Sequence, residues 1–166
     1  MIAKRILQCL VAPLLILCGG ISTRTVVLQA PVGQPADERA AQDHLPQSHD
    51  VIWTKFAKCK VGYNNKTGLY NISVTPEVKA MAGQPVTASG WVLPLDGSDH
   101  TQHFLLTRRT PVCMFCPPGE PNEVAEVVTL RPVEWTDKLV TVTGLLSLVN
   151  NGEKGMFFKI NAYSVK

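Results

Sequence analysis

Val140-Thr141-Val142-Thr143-Gly144-Leu145-Leu146-Ser147-Leu148-Val149, then Asn150-Asn151-Gly152, then Met156-Phe157-Phe158-Lys159-Ile160-Asn161-Ala162 is the stretch on which the fold turns. In its first arm Val140, Val142, Gly144, Leu146 and Leu148 are apolar or glycine at every second position, and in its second Met156, Phe158, Ile160 and Ala162 repeat the pattern. A period of two turns one face of a strand inward. The asparagines and glycine between the arms supply hairpin turn chemistry. Lys138 to Val149 and Gly155 to Val165 therefore read as a hairpin, each inward position contributing roughly 1.5–3 kcal/mol on full burial.

Working upstream, three more strands are expected: Val86 to Leu95 up to an Asp96-Gly97 turn, Gln102 to Thr107, and, after a long loop, Glu123 to Leu130. Leu69 to Val74 alternates as a strand would, behind the turn-forming run Tyr63-Asn64-Asn65-Lys66-Thr67-Gly68. Thr75 reads as an N-cap with Pro76 at the first helical position, opening one short helical turn through Ala80 that Gly83 ends. Gly90 and Gly144 fall in mid-strand, where a tightly coiled barrel needs a bulge or bend. Five or six strands with at most one short helix in about 115 residues give an all-β class. The expected architecture is a small antiparallel barrel of oligonucleotide/oligosaccharide-binding (OB) type, with a β-sandwich as the alternative.

The 166 residues include 45% hydrophobic and 17% charged side chains, 12 Gly, 12 Pro and 5 Cys, which fits one domain and excludes wholesale disorder, collagen and solenoid arrays. Formal charge is +3, but with Lys4 and Arg5 set aside the remainder carries 14 basic against 13 acidic residues. So neutral a body lacks the field that nucleic acid or an anionic membrane surface requires.

Lys4-Arg5, the apolar run Ile6 to Leu17 and Cys18-Gly19-Gly20 have the layout of a secretory signal peptide or N-terminal anchor over residues 1–20. Leu15-Ile16-Leu17-Cys18 also approaches a lipoprotein box. Export to a periplasm is the expectation, with membrane attachment only through this N-terminus. Residues 21–50, rich in polar side chains and carrying Pro31, Pro35 and Pro46, read as a flexible polar tether, and 51–166 as the barrel domain, anchored by Ile52, Trp53 and Phe56. In an oxidising compartment Cys59, Cys113 and Cys116 are an odd set of three, so one thiol stays free, binds something or pairs with another chain.

The segment Thr110-Pro111-Val112-Cys113-Met114-Phe115-Cys116-Pro117-Pro118-Gly119-Glu120-Pro121-Asn122-Glu123 concentrates the candidate chemistry. Thiol redox catalysis wants the C-x-x-C at a helix N-terminus, which Pro117, Pro118 and Pro121 oppose. Zinc or copper would need four ligands, and His100 and His103 with Cys113 and Cys116 make a numerically acceptable set. An intervening extended strand would hold the two pairs about 30 Å apart unless the chain doubles back near Arg108-Arg109. The plainest reading is a Cys113–Cys116 disulfide, or two sequestered thiols, bracing the loop. Arg108 and Arg109 offer paired donors to an anion. The carboxylates Asp96, Asp99, Glu120, Glu123 and Glu126 are explained by turn and edge roles, and no serine-hydrolase, zinc-protease, P-loop or Rossmann fingerprint is present.

Pro76-Glu77-Val78-Lys79-Ala80-Met81-Ala82-Gly83, Gly90-Trp91-Val92-Leu93-Pro94-Leu95-Asp96, Phe104-Leu105-Leu106, and Cys113 with Pro117-Pro118 and Pro121-Asn122 together resemble the domain-of-unknown-function 3299 family of exported bacterial proteins. The resemblance spans Trp53 onward. It departs from the family pattern in having Phe115 where a His is expected and Cys116 and Gly119-Glu120 inside the proline run, so a metal role would need Cys116 in place of that His. The resemblance implies a non-enzymatic accessory module of the cell envelope, associated with a transporter system and with a protein partner there. Such a module would present Phe115, Pro117, Pro118, Pro121 and Asn122 as a binding loop; the alternative is a zinc/copper-binding or thiol-disulfide protein using Cys113 and Cys116.

Overall fold

A computed structural model describes residues 36–112 and 118–166. Five strands form a closed barrel: β3 (Pro85–Pro94), β4 (His100–Thr107), β5 (Val124–Glu134), β6 (Val140–Asn151) and β7 (Met156–Val165). Their order around the barrel is β3-β4-β5-β7-β6, and β3 pairs with β6 to close it. All neighbours are antiparallel except β5 and β7, which run parallel. That is the connectivity of the expected OB-type barrel.

The hairpin pairs as the sequence pattern demands. Gly144 lies opposite Ala162, Leu146 opposite Ile160 and Leu148 opposite Phe158, and Val142, Leu146, Phe158 and Ile160 are fully buried. Both mid-strand glycines mark close backbone approach. A Cβ on Gly90 would sit 2.5 Å from the Thr107 carbonyl oxygen, and one on Gly144 would overlap the Asn161 carbonyl and lie 2.7 Å from Ala162 Cα. The β6–β7 register shifts between Thr143 and Gly144, so the bend expected there is a bulge.

Among the described residues three short helices accompany the barrel, where at most one was expected. α3 (Pro76–Ala80) is the expected one: Thr75 Oγ1 accepts from the Val78 N–H at 3.3 Å. α2 (Val51–Phe56) is capped by Asp50, whose other carboxylate oxygen accepts from the Ser89 N–H at 3.0 Å on β3. Ile52, Trp53 and Phe56 on α2 join the barrel core. Phe56 stacks on Phe158 with centroids 3.9 Å apart, and Trp53 Nε1 donates to the Ser89 carbonyl at 2.7 Å. A separate two-stranded sheet, β1 (Lys60–Asn64) with β2 (Leu69–Ser73), turns at the run Tyr63 to Gly68 and is tied to the barrel by Tyr70 N–H to the Gly152 carbonyl at 2.9 Å.

α1 (Ala36–Asp43) changes the reading of the tether. Residues 36–50 are engaged with the barrel rather than loose: Gln42 and Ser48 are buried, Gln47 bridges to Arg109, and Ser48 N–H donates to the Arg108 carbonyl at 2.8 Å. The packed part of the chain thus begins at least as early as α1, and not at Val51. Its contacts are polar, which is why an apolar-periodicity reading passed over it. No helix among the described residues is long and apolar enough to cross a membrane. The signal or anchor segment 1–20 and the tether up to residue 35 lie outside the described residues.

Candidate functional site

The loop between β4 and β5 leaves the barrel through Arg108 to Val112 and returns through Pro118 to Glu123. Cys113, Phe115, Cys116 and Pro117 fall outside the described residues, and with them the expected disulfide, the sulfur ligands for zinc or copper and the centre of the binding loop. The two arms, and what grips them, are described.

Glu123 is the centre of that grip. Its side chain is only 8% exposed, and its carboxylate accepts from three guanidiniums: Arg39 at 2.8 Å, Arg109 at 3.0 Å and Arg108 at 3.3 Å. It also accepts from the Glu120 N–H at 3.1 Å. Burial on its own would raise the Glu123 pKa, but the bonds from Arg39, Arg109 and the Glu120 amide outweigh it and hold the carboxyl below its ordinary 4.5. Arg109 shows the mirror effect: desolvation opposes its charge, and the bonds to Glu123 and Asp43 more than restore it. The paired arginines expected to offer an anion-docking point have therefore found anions within the chain, Glu123 for both and Asp43 for Arg109. One atom, the Arg108 Nε, is buried without a partner.

Gln42 on α1 closes the base. Its Nε2 donates to the Thr110 carbonyl at 3.0 Å and the Pro118 carbonyl at 3.2 Å, one on each arm. Thr110 Oγ1 donates in turn to the Pro46 carbonyl at 2.8 Å. On the returning arm Pro121 is buried, and Asn122 Nδ2 donates to the Cys59 carbonyl at 3.0 Å. Cys59 itself is a buried free thiol.

The histidines stand apart from this base. His100 is exposed at the start of β4, whereas the loop arms leave from its other end; seven residue steps of strand span about 23 Å. His103 Nε2 lies 2.7 Å from Glu126 Oε1, and Lys159 Nζ lies 3.5 Å from the same oxygen. Among the described residues no three His, Cys, Asp or Glu side chains gather closely enough to hold a metal ion.

Beside the outgoing arm runs a shallow apolar groove of about 180 Å³, lined by Trp91, Leu93, Pro111, Val112, Trp135 and Asp137 among others. Trp53 and Trp91 are core residues, but Trp135 is 47% exposed. Their wide spacing in the sequence gives no sign of a groove beside Trp135. The Glu123 cluster was also missed, although a signal existed: an Arg-Arg pair before the loop and two glutamates after it place opposite charges on its two ends.

A family model described as a protein of unknown function (DUF3299) matches residues 34–166, a span that includes α1. The crystal structure of a DUF3299 family protein from Pseudomonas aeruginosa is 23% identical in sequence, with a TM-score of 0.49, covering 74% of this chain and 82% of that one. No curated protein matches.

Proposed function

The chain belongs to the DUF3299 family, and from that premise we propose that it is a non-enzymatic binding module of the cell envelope, presenting the loop from Val112 to Asn122 to a protein partner. The observation that carries the reading is the grip on the loop's two arms. A buried carboxylate with three guanidiniums and a fully buried glutamine are spent on the base of a connection that a short turn would make. Fixing the two ends of a loop lowers the conformational entropy lost when a partner closes on it. Exposed Val112 at the edge of the gripped arm gives the partner an apolar contact. Placement in the envelope rests on the Lys4-Arg5 and Ile6 to Leu17 layout. The partner proposed is the envelope portion of a transporter assembly.

The test is photo-crosslinking in intact cells from a reactive side chain placed at Val112 and, as a control, at exposed Leu145 on β6. A discrete adduct from position 112, absent from 145 and lost when residues 113–117 are replaced by Gly and Ser, supports the reading. Equal adducts at both positions, or none at 112, sink it. Elemental analysis of the purified protein runs alongside. Stoichiometric zinc or copper that disappears in Cys113→Ser would replace this function with metal handling.

A further inference from the structure

The groove beside the outgoing arm carries information about what docks there. Its lining is mostly apolar, with Trp91, Leu93, Pro111 and Val112. Its outer wall is Trp135, held by the bond from its backbone N–H to the Asp99 carbonyl at 2.8 Å. Val112 is 40% exposed, so part of this apolar wall is open to solvent. An exposed tryptophan beside a proline and a valine, in a depression with room for one side chain, is the composition of an interface anchor point.

The rim has a sign. Asp137 lines the groove, and Asp99 holds the backbone of Trp135 through its carbonyl; both residues are exposed. The segments 95–100 and 134–139 contain no lysine or arginine but Lys138. A cation docked beside the groove meets Asp137 and the half-exposed Trp135, whose indole attracts positive charge.

We infer that the groove between Pro111-Val112 and Trp135 receives a peptide segment of the partner in which an aliphatic or aromatic side chain stands next to a lysine or arginine. The apolar side chain fills the groove and the basic one lies against Asp137, Asp99 and the Trp135 ring. This deepens the binding-loop reading above, on which it rests, by giving the partner's chemistry. It also accounts for the rigid base, because Gln42 and Glu123 fix the arm that forms one groove wall.

A random twelve-residue peptide library selected against the full chain tests it. The expected consensus pairs Leu, Ile, Phe or Trp with Lys or Arg within two positions. Binding of the selected peptides should fall about tenfold in Trp135→Ala and in Asp137→Lys, and weaken as salt is raised. An acidic or charge-free consensus, or unchanged affinity in both variants, overturns the inference. So does self-association of the chain abolished by Trp135→Ala, which would put a second copy in the groove, or displacement of the selected peptides by a synthetic peptide of residues 21–34 of this chain. A variant with residues 113–117 replaced by Gly and Ser separates the two levels. Peptide binding that survives there but is lost in Trp135→Ala upholds the groove whatever the crosslinking shows. Binding lost there and unchanged in Trp135→Ala refutes the groove and leaves the loop reading intact.

Discussion

Gln42 and Pro118, 76 positions apart in the chain, are joined by a hydrogen bond of 3.2 Å from the side-chain amide to the backbone carbonyl. The same nitrogen reaches the Thr110 carbonyl at 3.0 Å. A single buried amide on α1 thus spans the gap between the outgoing and returning arms of the loop. Neither arm has a strand partner at that point, so this amide stands in for the ladder that would otherwise hold them together.

Replacing it should loosen the loop before it unfolds the barrel. Gln42→Ala leaves two carbonyls short of a donor inside a covered site, and a loss of about 2 kcal/mol in chemical denaturation is expected. Limited proteolysis should show faster cleavage between residues 110 and 120 under conditions where the strands stay intact. Unchanged cleavage in that window would remove Gln42 from the role assigned to it.

Glu123 makes stability depend on pH. Its folded pKa lies below the ordinary 4.5, so folding favours the ionised form. That contribution is complete above 4.5 and drains away as pH falls through the lower folded value. Glu123→Gln should cost about 3 kcal/mol at neutral pH, since it leaves three guanidiniums without their shared counter-charge. It should also flatten the acid limb of the stability profile. An acid limb as steep as the unaltered protein's would assign it to other carboxylates.

Removing residues 1–50 should destabilise the barrel. The deletion takes away the Arg39 bond to Glu123, the Gln42 bridge, the Ser48 bond to the Ser89 carbonyl at 2.6 Å and the Asp50 cap of α2. A fall in Tm of about 10 °C is expected. Deleting residues 1–33 should leave Tm within about 2 °C of the parent.

Gly144→Ala tests the bulge. The added methyl meets the backbone of Asn161 and Ala162, and backbone yields less readily than a side-chain end. A loss of about 2 kcal/mol or more is expected, whereas Leu145→Ala one position along, on an exposed side chain, should cost well under 1 kcal/mol.

The barrel was legible because its signals are apolar and periodic. Val142, Leu146, Phe158 and Ile160 declare an inward face, and Thr75-Pro76 declares a helix start by the chemistry of its cap. What escaped reading is held by polar contacts between distant residues. α1 has the sequence Ala-Asp-Glu-Arg-Ala-Ala-Gln-Asp, with no apolar stripe; its docking depends on Arg39, Gln42 and Asp43 meeting partners more than 60 positions away. The parallel pairing of β5 with β7 was equally hidden, since alternation fixes a strand's face but not its neighbour. The groove escaped because nothing local distinguishes Trp135, exposed at the end of β5, from Trp53 and Trp91 in the core.

The position of β7 in the sheet order has a consequence for biosynthesis. It follows the other four barrel strands in sequence, yet it lies between β5 and β6 and pairs with both. Until it is synthesised, β5 and β6 each keep one edge without a partner, and unpaired edges recruit other chains. A chain cut short before Met156 would be left with an open four-stranded ribbon prone to sticking to its own kind. Barrel closure therefore waits on β7, and β5 and β6 stay open to other chains until it arrives.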